Sequence, residues 1–277
     1  MKKERKTKQR KQNTRPTLAD RADKHELYET AVQCTEAEID FVDATFEKLR
    51  ERQPVVIRED FCGTANTSCE WVRRRAKNRA IGVDLDTEVQ QWGREHHIAK
   101  LTADQQKRIE LVQADVMEVT TEPVDAVLAM NFSYWIFKDR PTMVRYFRRV
   151  HAALADDGIL FMDSFGGYES FKEMKESRSY KGFKYIWHQS KYNPVTGDYC
   201  CKIHFKFKDG SKIKNAFVYD WRLWTLPELT EMLTEAGFKP TVYWEGSDEN
   251  GEGDGVFTPT TQGEADAGWI AYIVAEK

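Results

Sequence analysis

The feature that most constrains the fold is an alternation of short apolar runs with longer amphipathic stretches. Apolar or β-branched runs predict seven strands, at 55–57, 80–83, 109–112, 124–130, 158–162, 239–244 and 269–274. Helical apolar spacing and helix-capping signals predict helices at 67–76, 88–99, 141–154 and 227–236. Strands that alternate with helices in this way are typical of an α/β fold with a parallel sheet.

One region breaks this alternation. Between 183 and 224 the sequence has three β-rich runs and no good helical spacing, and turn signals at 193–198 and 208–211 separate the runs. This pattern predicts a three-stranded antiparallel insertion after the fifth strand, which we assign to 178–224. Ligands of α/β sheets bind beyond the carboxyl ends of the strands. Because the insertion leaves the end of strand five, we predict that it forms a lid over such a crevice.

Charge is distributed unevenly along the chain. Residues 1–16 carry eight Lys or Arg against one Glu, a local charge of +7, so the remaining residues sum to −10. A segment with one apolar residue cannot offset its ordering entropy by burial, which predicts a disordered basic tail. Such a tail is either an arm that binds nucleic-acid phosphates or a solubilising extension. Residues 245–266 hold seven acids, five glycines and no Lys or Arg, which predicts a long loop.

Composition excludes several classes of protein. No apolar run approaches the ~20 residues that span a bilayer, so a membrane protein is excluded. The five cysteines form no CxxC pair, and the six histidines show no HExxH or clustered spacing. These patterns predict neither a disulfide framework nor a metal site. They favour a reducing compartment, and we predict a cytoplasmic protein.

The stretch 55–65 carries the strongest functional signal. A strand ends in Glu59, a tight turn containing Gly63 follows, and a helix begins, which brings helix-start N–H groups and a carboxylate to one ligand. Asp84 and Asp115 lie at the ends of the second and third strands. Acids at three successive strand ends predict a nucleotide-type crevice, in which Asp84 accepts ribose hydroxyls and Asp115 or its neighbouring backbone meets an adenine edge. The alternative is that these acids only cap helices.

With these residues the chain resembles the class I S-adenosylmethionine-dependent methyltransferases, over about residues 20–277. The turn at 59–65 is similar to the family's acid-x-Gly-x-Gly-x-Gly motif, with Glu59 as the motif acid. Phe61 and Ala65 stand in place of the first and last glycines. The resemblance implies a Rossmann-like seven-stranded sheet and S-adenosyl-L-methionine as the cofactor. The cofactor-binding residues that it implies are Glu59, Phe61, Cys62, Gly63, Thr64, Asp84, Leu85, Asp115, Val116 and Asn131.

Hydride-transfer enzymes of the same architecture are the nearest rival at the level of the fold. Their turn needs glycine where the backbone meets a pyrophosphate, and Phe61 at that point would obstruct a dinucleotide. A sulfonium ligand tolerates this side chain, so the turn favours methyl transfer.

Two residues after the fourth strand are candidate catalytic residues. Asn131 and Tyr134 occupy the position where the family places its substrate-facing loop, and we predict that they lie nearest the transferred methyl group. For Tyr134 the alternative is an aromatic pair with Trp135 packed under the lid.

Three further residues are candidates for contact with the substrate or the cofactor. The segment 17–53 is similar to the helical segment that folds over the cofactor in the family, which makes Tyr28 and Gln33 candidate pocket residues. Their alternatives are a core contact and a surface amide. In the lid, Arg222 either holds a substrate carboxylate or pairs with Asp220 or another fixed acid.

These expectations combine into one functional hypothesis. We predict a methyltransferase domain formed by 54–177 and 225–277, which transfers a methyl group to a nitrogen or oxygen of a small molecule. A roofed crevice suits a substrate that can be enclosed. One alternative is a methyltransferase for RNA or protein that uses the basic tail, and another is a fold that binds the cofactor without catalysis. Neither a metal nor a membrane is predicted as a partner, and nucleic acid is not the favoured one.

Overall fold

The computed structural model describes residues 15–249 and 253–277, so nearly all of the basic tail predicted for 1–16 lies outside the described residues. The helices are α1 (Leu18–Arg21), α2 (Lys24–Val32), α3 (Thr35–Arg50), α4 (Asn66–Arg74), α5 (Thr87–His96), α6 (Ala103–Gln106), α7 (Arg140–Ala153) and α8 (Leu226–Glu235), with 3-10 turns at Ile98–Lys100 and Ser133–Ile136. The strands are β1 (Val56–Asp60), β2 (Arg79–Asp84), β3 (Ile109–Gln113), β4 (Val124–Ala129), β5 (Leu154–Gly166), β6 (Met174–Tyr180), β7 (Phe183–Tyr192), β8 (Asp198–Phe207), β9 (Lys212–Arg222), β10 (Lys239–Ser247), β11 (Gly253–Thr260) and β12 (Trp269–Glu276).

The central sheet has the strand order β11-β10-β12-β5-β4-β1-β2-β3. Strands β1 to β5 run parallel to their neighbours, whereas β12 is antiparallel to both β5 and β10. The chain therefore reverses its direction of strand addition between β1 and β4, which is the place where open α/β sheets bind ligands. The predicted α/β class and Rossmann-like sheet are confirmed.

The loop predicted for 245–266 is wrong in part. It contains β11, which pairs antiparallel with β10 and makes the sheet eight strands wide. The β11 sequence includes glycines and a proline, and nearly all of its side chains are exposed. An edge strand that buries neither face shows no apolar alternation, so the sequence carries no signal for it.

The antiparallel insertion is confirmed as a separate sheet, in the order β6-β7-β8-β9. It has four strands instead of three, because β6 pairs with β7 along its whole length and begins before residue 178. The β6 sequence is polar and largely exposed, so it escapes the apolar pattern for the same reason as β11.

Helices cover both faces of the central sheet. The apolar sides of α3 and α4 form one core cluster with β1 and β5, and α7 and α8 form another on the opposite face. Helices α1 and α2 pack against the inner face of the insertion, which we define as the side that buries Tyr199, Cys201, Ile203, Phe205 and Phe207. Among the described helices none has the length and hydropathy of a membrane span.

A buried ion pair lies on the α7 side of β1. The side chain of Arg58 is 2.8 Å from Asp60 through Nε and Oδ1, and its Nη2 donates to Oδ2 at 2.9 Å. The hydroxyl of Tyr146, on α7, donates to the same carboxylate at 2.8 Å. Arg58 and Asp60 are 1% and 2% exposed. The pair therefore occupies core positions where apolar side chains are usual, next to the turn that follows β1.

Candidate functional site

The turn between β1 and α4 has an unusual backbone. Phe61, Gly63 and Ala65 all have positive φ, at 59°, 51° and 56°. This left-handed region favours glycine, so the chain keeps the backbone of a glycine-rich turn with larger side chains at its ends. A Cβ built on Gly63 would meet nothing within 4 Å, so open space lies beside the middle of the turn. The ring of Phe61 packs near Phe137 and Tyr146, with both centroid distances at 6.0 Å.

Asp84 lies beside this turn, at the end of β2. Its Oδ2 accepts a hydrogen bond from the Gly63 N–H at 2.8 Å, and its Oδ1 accepts from the Asp86 N–H at 2.9 Å. Each carboxylate oxygen can accept a second hydrogen bond, so both remain able to bind a pair of hydroxyls. The cap of α5 is Asp86 and not Asp84, so helix capping does not account for the acid at the end of β2. Next to it, the side chain of Leu85 is 63% exposed, an apolar surface available to a flat ligand.

Two helices hold the turn in place. A Cβ on Gly93 of α5 would lie 2.2 Å from the Thr64 carbonyl oxygen, so only glycine permits this close approach. From α2, Glu29 accepts a hydrogen bond from the Thr64 hydroxyl at 2.6 Å and contacts His97 Nε2 at 2.7 Å. The segment before β1 is therefore attached directly to the turn.

Three carboxyl groups gather at the carboxyl ends of β1 and β5, under the start of α3. Glu59 accepts from the N–H and hydroxyl of Ser68, at 2.9 and 2.5 Å. Asp163 accepts from the N–H groups of Asn131 and Phe132, both at 2.9 Å, and so holds the loop after β4. The third is Glu38, whose buried Oε2 has no hydrogen-bond partner in the part of the chain that the structure describes.

The electrostatics of these acids are coupled. Burial raises the pKa of Glu38, Glu59 and Asp163 each to about 7. For Glu59 and Asp163, the negative charge of Glu38 raises the pKa further, which places the three groups in one region. Within the described residues, no Lys or Arg forms an ion pair with any of these three carboxyl groups, and none is among the main causes of their pKa shifts. A cluster of buried acids without a cation stabilises a positively charged ligand.

Aromatic side chains surround the same region. Burial raises the pKa of Tyr28 and Tyr272, and the charges of both Glu38 and Asp163 raise it further. Tyr28 keeps part of its surface accessible and interacts with the hydroxyl of Tyr219, on the inner face of the insertion. Tyr219 stacks on Trp221 at 4.3 Å. The insertion and α2 therefore supply an aromatic wall opposite the acids.

Comparison with known proteins agrees with this geometry. Residues 60–158 match a family described as a methyltransferase domain. A crystal structure of an S-adenosylmethionine-dependent methyltransferase from Clostridium acetobutylicum has 13% sequence identity, a TM-score of 0.67, and a match that covers 91% of this chain and 96% of that one. Residues 60–158 therefore form a methyltransferase domain, and the chain shares the fold of S-adenosylmethionine-dependent methyltransferases.

Two further solved structures share the fold of this methyltransferase. An amino pentose methyltransferase from Micromonospora echinaspora has 14% identity and a TM-score of 0.65, covering 91% of this chain and 95% of that one. A sugar N-methyltransferase from Streptoalloteichus has 16% identity and a TM-score of 0.61, covering 100% and 99%. Among curated proteins none matches this sequence. At such identities the structural likeness establishes the fold.

In this methyltransferase, several predicted site residues converge on the turn. The turn and the strand ends beside it hold Glu59, Gly63, Thr64 and Asp84, with the contacts described above. Cys62 is buried, and its N–H donates to the Val83 carbonyl at 3.0 Å. Two further predicted cofactor residues follow the next strand, β3: Asp115, which accepts from the Met117 N–H at 2.8 Å, and the buried Val116. Gln33 accepts from Asn66 Nδ2 at 3.1 Å, which joins the end of α2 to the start of α4.

Two predicted residues lie elsewhere. Tyr134 is fully buried and its hydroxyl donates to the Asp163 carbonyl at 2.8 Å, so its side chain packs in the core and does not reach the crevice as predicted. Arg222 donates to Glu228 at 2.9 Å and lies 3.7 Å over the Trp224 ring, so it pairs with a fixed acid instead of facing the crevice. Asn131 contributes its backbone, through the bond to Asp163.

Three residues of the site escaped sequence reasoning. Asp163 lies near the end of a predicted strand, and the strand-end argument that found Asp84 extends to it. Glu38 is an acid in the first turn of a helix, where acids are common for electrostatic reasons alone. Tyr272 is one apolar position among several in β12. For Glu38 and Tyr272 the sequence offers no distinguishing signal.

Within the described residues, no group of three or more His, Cys, Asp or Glu is arranged to hold a metal ion.

Proposed function

We propose that this enzyme transfers a methyl group from S-adenosylmethionine to the nitrogen of a small-molecule amine. The observation that carries the choice of nitrogen is the unpartnered Oε2 of Glu38 in a cluster of acids without a cation. An ammonium group offers both the positive charge and the N–H donors that this oxygen lacks, whereas an alcohol offers no charge. Two proteins of the same fold are an amino pentose methyltransferase and a sugar N-methyltransferase, which supports an amine acceptor.

The residues at the turn fit the cofactor. Asp84 would bind the ribose hydroxyls with its free lone pairs, and the exposed face of Leu85 would pack against the adenine. Glu59, close to the turn and without a cation, would lie near the methionine ammonium. Bound S-adenosylmethionine supplies an electrophilic methyl carbon, and the electron pair of the broken C–S bond stays on sulfur.

Glu38 has the properties of a base for the acceptor. With a pKa of about 7, its carboxylate takes a proton from the entering ammonium and leaves a neutral nitrogen with a free lone pair. Asp163 positions the loop after β4 through two N–H groups, and the aromatic wall excludes water. After transfer the product leaves as a methylated ammonium ion, and Glu38 releases to solvent the proton that it took, so each turnover releases one proton.

An aromatic enclosure also favours a small substrate. The inner face of the insertion reaches the loop after β4, where Phe132 lies 6.3 Å from Trp221 between ring centroids. Acceptors that can be surrounded by this wall, such as amino sugars, suit the site better than a polymer.

The cofactor assignment is tested by calorimetry. We expect the wild-type enzyme to bind S-adenosylmethionine, and Asp84→Ala to lose on the order of 100-fold in affinity because two charge-assisted hydrogen bonds are lost. Asp266→Ala, which changes an exposed acid in the segment before β12, serves as the control. Equal affinities for the two variants would contradict the assignment of Asp84.

The acceptor assignment is tested with matched substrates. Formation of S-adenosylhomocysteine is measured with amino sugars and with the corresponding hydroxyl sugars, and we expect turnover with the amines alone. Glu38→Gln is expected to lower kcat/KM by on the order of 100-fold and to keep cofactor affinity within a few-fold. Glu36→Gln, an exposed acid in the same helical turn, is the control. Turnover of the alcohols together with an active Glu38→Gln variant would refute the amine assignment and leave the cofactor assignment intact.

A further inference from the structure

Strand β5 continues past Asp163 to Gly166 and there pairs with the start of β12. We call this end of the two strands, with the segments that adjoin it, the rim (residues 165–171 and 266–270). Phe165 and Ile270 are direct cross-strand partners in the rim, and they form the next pair on the same face after Asp163 and Tyr272. The Cβ atoms of such partners lie about 4.5–5.5 Å apart. The side chain of Ile270 therefore stands beside the Phe165 ring, in the row next to the acid cluster.

Ile270 presents an apolar surface at the rim. Its strand is an interior strand of the central sheet, between β10 and β5, yet the residue is 45% exposed. Two residues further along β12, Phe41 of α3 stacks on Tyr272 at 4.4 Å between ring centroids. Phe165 is half-buried and lies 4.7 Å from Phe132 between ring centroids. The surface of Ile270 is therefore continuous with the aromatic side chains that surround the acids.

A glycine brings further apolar side chains to the rim. Gly167 has a φ of 105°, and a Cβ built on it would lie 2.4 Å from the Ala267 carbonyl oxygen, so only glycine permits this approach. The Tyr168 N–H then donates to the Asp266 carbonyl at 3.2 Å. Tyr168 and Phe171 are 59% and 48% exposed. Exposed apolar side chains gathered beside a crevice are typical of a ligand-binding surface.

The charge next to the rim is negative. On β10, Glu245 is two residues from Tyr243, the direct partner of Tyr272, and so stands on the same face of the sheet. Burial raises the pKa of Tyr272, and the charge of Glu245 is among the causes that raise it further. Residues 245–266 contain seven acids and no Lys or Arg. An anionic group of a substrate would be repelled on this side of the crevice.

We infer that the acceptor amine belongs to a molecule whose other end is apolar and uncharged, such as an amino sugar that already carries an aliphatic or aromatic aglycone. The amine reaches Glu38, and the aglycone covers Ile270 and Phe165 at the rim. This inference rests on the proposed function, because it takes the acid cluster as the place of the amine. The reaction that supplies such a substrate is a glycosyl transfer, so methylation follows the attachment of the sugar.

A nucleoside diphosphate sugar is the competing form of the substrate, and its pyrophosphate would need a cation. At the rim, Lys172 is paired with Glu169 at 2.9 Å. Arg178 is an exposed residue on the inner side of β6, opposite Tyr185. It is the residue that an anionic substrate would use, and it therefore enters the test.

The test compares glycosides that share one amino sugar. Formation of S-adenosylhomocysteine is measured with the methyl, hexyl and uridine-diphosphate derivatives of glucosamine and with hexyl glucoside, and binding of each to the enzyme with S-adenosylhomocysteine is measured by calorimetry. We expect kcat/KM for the hexyl glucosaminide to exceed that for the methyl glucosaminide on the order of 10-fold, because each buried methylene adds affinity. The uridine-diphosphate derivative is expected to fall below the methyl glycoside, and hexyl glucoside is expected to give no turnover.

Two matched variants locate the effect. Ile270→Ser is expected to remove most of the advantage of the hexyl glycoside and to leave the methyl glycoside within about twofold, because the change removes apolar contact alone. Val256→Ser is the control, since Val256 is 57% exposed and is adjacent on β11 to Phe257, the partner of Glu245, so that it faces the other side of the sheet.

Four results would overturn the inference. Equal kcat/KM for the hexyl and methyl glucosaminides, or equal losses in the two variants, would remove the apolar group and leave the amine assignment intact. A preference for the uridine-diphosphate derivative that Arg178→Gln abolishes would assign an anionic substrate instead. Turnover of hexyl glucoside would refute the amine assignment on which the inference depends. Neither turnover nor binding of any glucosaminide would exclude amino sugars as acceptors.

Discussion

Strand β1 sends charged side chains to both faces of the central sheet, and the two faces treat them differently. On the α7 side, the carboxylate of Asp60 is held by Arg58 and Tyr146 within 3 Å. On the α3 side, Glu59 has Ser68 as its partner and other acids as neighbours. Asp60 and Glu59 are both buried, so burial alone does not separate these two acids.

The difference is whether a cation of the protein completes the arrangement. Asp60 is buried with Arg58 as its ion-pair partner, so its charge needs no ligand, and the pair supports the turn that follows β1. Glu59 is buried, Glu38 and Asp163 are partly buried, and none of them has a paired cation, so the folded protein holds unfavourable charge that the proposed cationic ligand would relieve. We therefore assign a structural role to the ion pair of Arg58 and Asp60, and the acid cluster is the binding site that we propose.

The largest effect is expected from breaking the matched pair. Arg58→Met leaves the Asp60 charge buried and unpaired, which is expected to lower the free energy of unfolding by about 3–5 kcal/mol in urea titrations. Arg79→Met, which removes the exposed pair with Glu122, is expected to cost at most about 1 kcal/mol. The double variant Arg58→Met/Asp60→Leu should recover most of the loss. A single variant as mild as Arg79→Met would show that the pair does not support the fold.

Neutralising the unmatched cluster is expected to act in the opposite direction. The pKa of Glu38 is raised by burial to about 7 in the folded protein, so its ionisation weakens the fold as the pH rises from about 4.5 to 7. Glu38→Gln should therefore be more stable than the wild type at pH 8 by on the order of 1–3 kcal/mol, with no gain below pH 4. Equal denaturation midpoints at pH 8 would contradict the raised pKa.

The smallest effect is a change in pH dependence. If Glu38 takes the proton of the acceptor, kcat/KM is expected to rise about tenfold per pH unit below 7 and to level above it. Glu38→Gln should lose this inflection, whereas Glu36→Gln should keep it. An inflection near pH 7 in both variants would assign it to another group, such as Asp163.

Much of the fold could be predicted because its signals are local. The parallel strands and their helices show apolar periodicity, and each predicted helix lies within a few residues of its observed bounds. Strands β6 and β11 could not be predicted, because an exposed edge strand has no buried face to impose alternation. The turn after β1 was recognisable from Glu59 and Gly63, although two of its glycines are replaced.

The substrate side of the site was less accessible to sequence reasoning. Tyr134 follows a strand end in the sequence, yet its ring enters the core and its hydroxyl is bonded to the Asp163 carbonyl. For Arg222 the sequence left a substrate carboxylate and a fixed acid as possible partners, and the fold brings Glu228 of α8 within 2.9 Å of it. Strand position indicates the edge of the sheet to which a residue belongs but not the direction of its side chain.

The sequence by itself determined the order of strands and helices, the acids at the strand ends and the turn around Gly63, because periodicity and turn chemistry depend on neighbouring residues. Only the tertiary structure decided that Glu38 lies with Glu59 and Asp163, and that no cation accompanies them. Their shared region exists only when α3 packs over β1 and β5, and a raised pKa arises from that burial.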